Sequence, residues 1–162
     1  MMRNITKGIG VTAAAVAALA MGSGVATAKN GLWQPWVAPK DSNSYRCSQT
    51  IDHPKSTRVF MQTCIIHGAE DFLQPVLIVS NTSDKWIEIH GNTNSNWVLP
   101  KGERGYCKDS DLAPGARTAC YGPTSRGRVG VNTADSELML NAGTGGKVTG
   151  VTTSAKYTLY DF

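Results

Sequence analysis

Three histidines are the first candidates for chemistry in this sequence, because a histidine can act as a general base or bind a metal ion. His53 precedes a proline, and His67 and His90 each precede a glycine at the end of a β-rich segment. An exposed polar ring has an ordinary structural explanation at such positions. A pair with Asp109 or Asp111 would need a geometry that the sequence does not supply. The histidines therefore do not indicate an enzyme.

The sequence contains no recognisable catalytic or cofactor motif. Gly-x-Ser-x-Gly, His-Glu-x-x-His and a glycine-rich phosphate loop are all missing from it. The four cysteines include no Cys-x-x-Cys pair, and no histidine stands at zinc-finger spacing. We therefore expect no catalytic residues, no metal and no cofactor.

Tryptophans and asparagines are the better candidates for a binding site. Trp33 and Trp36 flank a Gln-Pro pair, and Trp97 follows a polar segment that contains Asn94 and Asn96. Exposed indoles beside amide side chains suit stacking on a glycan or a peptide. The alternative for Trp33 and Trp36 is that they fasten the lead-in onto the sandwich. These five residues are the predicted binding residues.

The first two cysteines lie in two β-rich segments that predict an antiparallel hairpin. Placing Cys47 opposite Cys64 also places Ile51 opposite Phe60. One face then collects Tyr45, Cys47, Ile51, Phe60, Cys64 and Ile66, with Gln49 and Gln62 as the polar members of that face. A shift of one residue would turn this set to the other side. The agreement between register and apolar face predicts a disulfide between Cys47 and Cys64.

The remaining cysteines, Cys107 and Cys120, bracket a Pro-Gly turn and are expected to form the second disulfide. Each disulfide closes a loop of about 13 to 18 residues, which the chain-entropy model values at about 3 kcal/mol. A closed loop is partly preorganised, and protease inhibitors use such loops. Leu112 or Arg117 in this loop could then fill the specificity pocket of a protease.

The N-terminus has the pattern of a secretory signal peptide covering residues 1–28. Arg3 and Lys7 precede a short apolar stretch, and the segment ends in Ala26-Thr27-Ala28. The apolar stretch is shorter than the roughly 20 residues that a membrane-spanning helix needs. Once this leader is removed, no second apolar segment follows, so we expect no transmembrane segment.

The chain beyond residue 28 has 14 basic and 12 acidic residues, so its net charge is only +2. Proteins that bind nucleic acid neutralise many phosphates with clustered Lys and Arg. The basic residues here are dispersed, and we expect no nucleic-acid partner. An exported chain enters an oxidising compartment, where disulfides form and persist.

The pattern of short β-rich segments separated by turn residues predicts an all-β domain over residues 45–162, after an extended lead-in of residues 29–44. This number of strands cannot lie in one open sheet with a buried face. We therefore expect a two-sheet antiparallel sandwich that is immunoglobulin-like or jelly-roll-like. Pro75–Ser80 and Trp86–His90 read as a second hairpin, with Trp86 expected in the core.

Together these observations predict a secreted protein held by two disulfides. The expected function is a non-catalytic binding or cell-envelope interaction module, with an unknown extracellular protein or a glycan as its partner. The alternative is a secreted protease inhibitor that presents the loop between Cys107 and Cys120.

Overall fold

The structure is a computed structural model that describes residues 33–97, 104–141 and 150–161. The predicted signal peptide lies outside the described residues. Two antiparallel sheets pack face to face, which confirms the predicted all-β sandwich. The disulfides Cys47–Cys64 and Cys107–Cys120 are both present and confirm the predicted pairing.

The described strands, in chain order, are β1 (Tyr45–Cys47), β2 (Ile51–His53), β3 (Ser56–His67), β4 (Phe72–Asn81), β5 (Ile87–Ser95), β6 (Gly105–Leu112), β7 (Arg117–Tyr121), β8 (Ser125–Arg126), β9 (Gly130–Leu140) and β10 (Gly150–Leu159). Sheet I has the order β1-β3-β4-β7, with β2 paired to β3 and β8 paired to β4, and sheet II has the order β10-β9-β5-β6. Single 3-10 turns occupy Ser42–Ser44 and Ala69–Asp71.

The core between the sheets is built from strands whose residues alternate between the interior and the outside. In β9 the pattern is regular, because every second residue from Asn132 to Leu140 is buried. The larger of the two interior clusters consists of Val59, Met61, Leu77, Val79, Ile89, Cys107, Leu112, Cys120, Leu138 and Leu140. The smaller interior cluster consists of Ile65, Leu73, Trp97, Ala134, Ala155 and Leu159.

The two sides of the sandwich are closed in different ways. On one side, the second disulfide joins β6 of sheet II to β7 of sheet I. On the other side, polar side chains tie β3 to β10. The hydroxyl of Thr63 donates to the Thr153 carbonyl at 3.0 Å, and the Tyr157 hydroxyl lies 3.0 Å from His67 Nδ1.

The first predicted hairpin is confirmed around its disulfide and wrong at the end next to its turn. Cys47 lies opposite Cys64, as predicted, but Ile51 lies opposite Met61 rather than Phe60. The expected single strand is divided into β1 and β2. The Ser48 amide still donates to the Thr63 carbonyl, but the Thr63 amide donates to the Ser48 hydroxyl, so the regular strand pairing ends there. This break shifts the register by one residue.

The apolar face that this hairpin was expected to bury lies on the outside of sheet I. Cys64, Val76, Ile78 and Ala119 form a third apolar cluster there. Strand β3 carries apolar residues on both faces, because its other face contributes Val59 and Met61 to the larger interior cluster. Alternation groups these residues into two faces but does not tell which face points inward.

The second predicted hairpin is wrong, because β4 belongs to sheet I and β5 to sheet II. The connection between them crosses from one sheet to the other and is held by the buried Asn81. Its Nδ2 donates to the carbonyls of Lys85, Leu112 and Ala113 at 2.8, 3.1 and 3.1 Å. A polar turn between two β-rich segments has the same sequence in a hairpin and in a sheet crossing.

Candidate binding surface

Trp33 fastens the lead-in to the edge of the sandwich. Its Nε1 donates to the Lys108 carbonyl at 2.8 Å, and its ring packs against the larger interior cluster. The ring also lies over Gly91, where an added Cβ would come within 2.8 Å of the indole. Gly91 is therefore needed for the close approach. The role of Trp33 is structural, which was the alternative that the sequence left open.

Trp36 covers the outer apolar cluster of sheet I. Its ring stacks on Tyr121 at a centroid distance of 6.4 Å and meets Tyr45 edge-on at 6.5 Å. The lead-in pairs with the edge strand β7 through two backbone hydrogen bonds between Gln34 and Ala119, at 2.9 and 2.7 Å. Burial raises the pKa of Tyr121 above its ordinary value of 10.0, although a hydrogen bond with the Val37 backbone lowers it in part.

Trp97 is only 2% exposed, so it does not contribute to an accessible binding surface. Its Nε1 donates to the Leu73 carbonyl at 3.3 Å, and its ring belongs to the smaller interior cluster. Trp86, which was expected in the core, is instead 67% exposed. Each tryptophan stands just outside an end of β5, Trp86 before Ile87 and Trp97 after Ser95, where strand alternation no longer fixes the side of the sheet that the indole takes.

The two predicted asparagines have different environments. Asn96 is exposed, but its Oδ1 accepts from the Thr133 amide at 3.0 Å and its Nδ2 donates to the Val131 carbonyl at 3.3 Å. It therefore extends the pairing of β5 with β9 and has little capacity left for a ligand. Asn94 is half-buried on β5, and its side chain makes no hydrogen bond with a described residue. Asn94 remains available for binding.

Asn94 belongs to a polar area on the outer face of sheet II. One row across the sheet consists of Tyr106, Asn92, Glu137 and Thr152, which lie opposite one another on β6, β5, β9 and β10. The next row on the same face consists of Asn94, Asp135 and Ser154. We call these seven residues the polar platform. Tyr106, at 46% exposed, is its aromatic member.

Hydrogen bonds fix both carboxylates of the polar platform. Asn92 is buried, and its Nδ2 donates to Glu137 Oε2 at 2.9 Å. The Ser154 hydroxyl donates to Asp135 Oδ1. Each carboxylate keeps oxygen lone pairs that a ligand can use, because a carboxylate accepts several hydrogen bonds. The platform therefore offers acceptors in defined positions beside one exposed ring.

Most of the polar platform was missed by the sequence analysis, which identified only Asn94. A signal for part of it is present in β9, where Asp135 and Glu137 alternate with the buried residues Ala134, Ser136 and Leu138. This alternation already places the two carboxylates on one exposed face. Their neighbours on β5 and β6 depend on strand pairing, which the sequence does not give.

A histidine and a carboxylate lie beside the polar platform, toward the end of sheet II where Trp86 stands. His90 Nδ1 is 2.6 Å from Asp109 Oδ1, and both side chains are partly exposed. The pairing of His90 with Asp109 is one that the sequence raised without being able to place it. A bulge in the pairing of β5 with β6 brings the two together.

The loop between Cys107 and Cys120 is a sheet crossing with a short turn at its tip. Leu112 is buried in the core, so its side chain cannot enter the pocket of a protease. The turn is also held from inside, because Asn81 Nδ2 donates to the carbonyls of Leu112 and Ala113. Arg117 is exposed on the outer side of sheet I.

Among residues 33–97, 104–141 and 150–161, no group of three or more His, Cys, Asp or Glu residues could hold a metal ion. The same residues form no helix long and apolar enough to cross a membrane. Comparison with known proteins finds no matching family model, no matching curated protein and no matching solved structure.

Proposed function

We propose that this protein is an exported, non-catalytic binding module and that the polar platform is the part that binds a glycan. The observation that carries the proposal is the combination of exposed Tyr106 with two oriented carboxylates and the free amide of Asn94 on one sheet face. Sugars offer hydroxyl donors for carboxylate and amide groups, and they offer apolar ring faces for an aromatic side chain.

The choice of sheet II rather than sheet I rests on what already covers each outer face. The lead-in places Trp36 over the apolar cluster of sheet I, so that face has an intramolecular partner. The platform on sheet II has none among the described elements. Two disulfides support the view that the protein works in an oxidising compartment outside the cell.

The charge of the platform narrows the class of glycan. Asp135 and Glu137 lie on the outer face of sheet II, and the platform itself contains no basic residue. A polyanionic polymer would meet like charges there. The ligand is therefore a neutral or amine-bearing polysaccharide rather than an anionic one.

The test is a pull-down with insoluble cell-wall polysaccharide from which anionic polymers have been removed. We expect retention of the protein, and we expect Tyr106→Ala to weaken it about tenfold through loss of one stacking contact. Tyr160→Ala is the matched control, because Tyr160 is also an exposed tyrosine but lies outside the platform. Equal retention of the Tyr106→Ala variant would contradict the assignment of this surface.

Two further readouts decide between functions. Paired carboxylates on a sugar-binding surface can also hydrolyse a glycosidic bond, so the supernatant is assayed for released sugar. Released sugar that disappears in Glu137→Gln would overturn the non-catalytic assignment. Culture-supernatant proteins are passed over the immobilised protein in parallel, and capture of a protein that depends on Tyr106 would replace the glycan by a protein ligand.

A further inference from the structure

A belt of hydroxyl side chains crosses the interior of the sandwich. On sheet II it is one row of residues that lie opposite one another on β10, β9, β5 and β6, namely Thr153, Ser136, Thr93 and Gly105. On sheet I, Thr63 faces the β10 end of this row. The four hydroxyl-bearing residues are only 0–7% exposed. We call these four residues the hydroxyl belt.

The hydroxyl belt lies between the two apolar clusters of the interior. In β9, Ser136 stands between Leu138 of the larger interior cluster and Ala134 of the smaller one. Thr63 takes the corresponding place in β3, between members of the same two clusters. Residues two apart in a strand share a face, so these hydroxyls point into the core. Polar groups at this depth need hydrogen-bond partners.

Only one end of the hydroxyl belt finds such partners within the protein. The Thr63 hydroxyl donates to the Thr153 carbonyl at 3.0 Å and also contacts the Thr153 hydroxyl. The hydroxyls of Thr93 and Ser136 are buried and have no hydrogen-bond partner among the described residues. The same is true of the Ser95 hydroxyl, which follows two residues later on the same face of β5. Unpaired buried hydroxyls destabilise the folded state.

The pairing of the strands brings two of these unpaired hydroxyls together. Thr93 lies directly opposite Ser136 in the antiparallel register of β5 with β9. Such a pair has its Cβ atoms about 4.5–5.5 Å apart. One water molecule between the two side chains can therefore hydrogen-bond to both hydroxyls at the usual distance of about 2.8 Å. Buried waters typically make about three hydrogen bonds, and Ser95 supplies a third polar group nearby.

The surroundings restrict the occupant to something as small as water. At the β6 end, a Cβ added to Gly105 would come within 2.6 Å of Gly122 Cα, and a Cβ added to Gly122 would collide with Thr93 Oγ1. The two sheets are thus in close contact there. At the β10 end, the contact between Thr63 and Thr153 closes the row. Enclosed polar sites of this kind hold ordered water, whereas empty cavities in proteins are apolar.

We propose that the hydroxyl belt is an internal water site, with at least one water molecule that bridges Thr93 Oγ1 and Ser136 Oγ. Ser95 is the third partner of the site. The site lies directly beneath the polar platform, because the platform residues of β5 and β9 flank the belt residues in the same strands. It does not depend on the proposed glycan function, since its hydroxyls point to the other face of the sheet.

The first experiment counts long-lived internal water by oxygen-17 relaxation dispersion, which does not respond to exchanging hydroxyl protons. It compares the protein, purified with both disulfides intact, with the Thr93→Val/Ser136→Ala double variant. We expect the double variant to lose the contribution of at least one water molecule. Thr158→Val is the matched control, because Thr158 is an exposed threonine on β10, and it should leave the dispersion unchanged.

The second experiment is a double-mutant cycle measured by urea denaturation. We expect Thr93→Val and Ser136→Ala each to lower the equilibrium constant for folding about fivefold, because the bridging water loses one of its partners. The double variant should lower it by less than the product of the two factors, since both hydroxyls act through the same water. Thr158→Val should change the constant by less than about twofold.

A crystal structure of the unaltered protein gives a readout that needs no variant. We expect a water molecule within hydrogen-bond distance of both Thr93 Oγ1 and Ser136 Oγ. A site without water in that structure would overturn the proposal, and so would a dispersion that is equal in the protein and the double variant. Single variants that each stabilise the fold, with effects that simply add, would do the same, because that is the behaviour of hydroxyls buried without water.

Discussion

At the scale of single residues, two buried asparagines hold the loops of this sandwich. Asn81 joins the crossing between the sheets to the turn after β6, and Asn132 fixes the loop that precedes β9. Each asparagine side chain supplies hydrogen bonds at a place where the regular backbone pairing between strands is missing and backbone groups would otherwise be buried without a partner. Removing such a side chain leaves those groups unsatisfied, which costs more than the hydrogen bonds themselves contribute.

We predict that Asn81→Ala lowers the free energy of unfolding by about 2–4 kcal/mol, because three carbonyls lose their donor. Asn94→Ala is the matched control and should change it by less than about 0.5 kcal/mol, since that amide has no described hydrogen bond. Urea denaturation measures both variants. Similar stability losses in the two variants would show that the loss in Asn81→Ala does not come from its hydrogen bonds.

At the scale of elements, the lead-in acts as a covering segment for sheet I. It protects the edge of β7 by pairing at Ala119, and it covers the outer apolar cluster with Trp36. Exposed sheet edges and apolar faces are prone to unwanted association, and the lead-in covers part of both on sheet I. The lead-in is thus part of the folded domain rather than a linker to it.

We predict that Trp36→Ala lowers stability by about 1–3 kcal/mol, because it removes two aromatic contacts and uncovers the cluster. It should also lower the pKa of Tyr121 toward 10.0, which an ultraviolet tyrosinate titration detects. Trp86→Ala, which removes an exposed indole, should change neither quantity. A Tyr121 titration that is the same in the Trp36→Ala variant would mean that other residues bury its hydroxyl.

The raised pKa of Tyr121 has a definite consequence for stability against pH. The folded state holds the phenol proton more tightly than the unfolded state does, so this contribution is fully present below pH 10.0. It is lost as the pH rises from 10.0 through the pKa of the folded state. Because Trp36→Ala reduces the shift in the pKa of Tyr121, it should also reduce this loss of stability at high pH.

At the scale of the whole molecule, the two disulfides have different tasks. Cys107–Cys120 joins the two sheets, and both of its residues are fully buried. Cys47–Cys64 joins neighbouring strands within sheet I, and Cys47 is partly exposed. A reducing thiolate must reach a sulfur atom to attack it, so burial protects the Cys107–Cys120 disulfide.

We predict that mild reduction of the native protein opens Cys47–Cys64 before Cys107–Cys120. Alkylation of the free thiols followed by peptide mass spectrometry measures the order. The Cys107→Ala/Cys120→Ala double variant should lose about 3–5 kcal/mol, since it adds a core cavity to the lost loop constraint. Cys47→Ala/Cys64→Ala should lose about 3 kcal/mol or less. First opening of Cys107–Cys120 would contradict this order.

The sequence by itself determined the all-β class and the pairing of both disulfides. Strand periodicity and turn residues are local signals, and the register around Cys47 and Cys64 follows from a single hairpin. Tertiary structure alone decided which strands share a sheet, which face of β3 is interior, and why Trp97 is buried while Trp86 is exposed. The physical reason is that alternation only groups residues by face. Which face is covered, and by which distant strand, depends on packing between segments far apart in the chain.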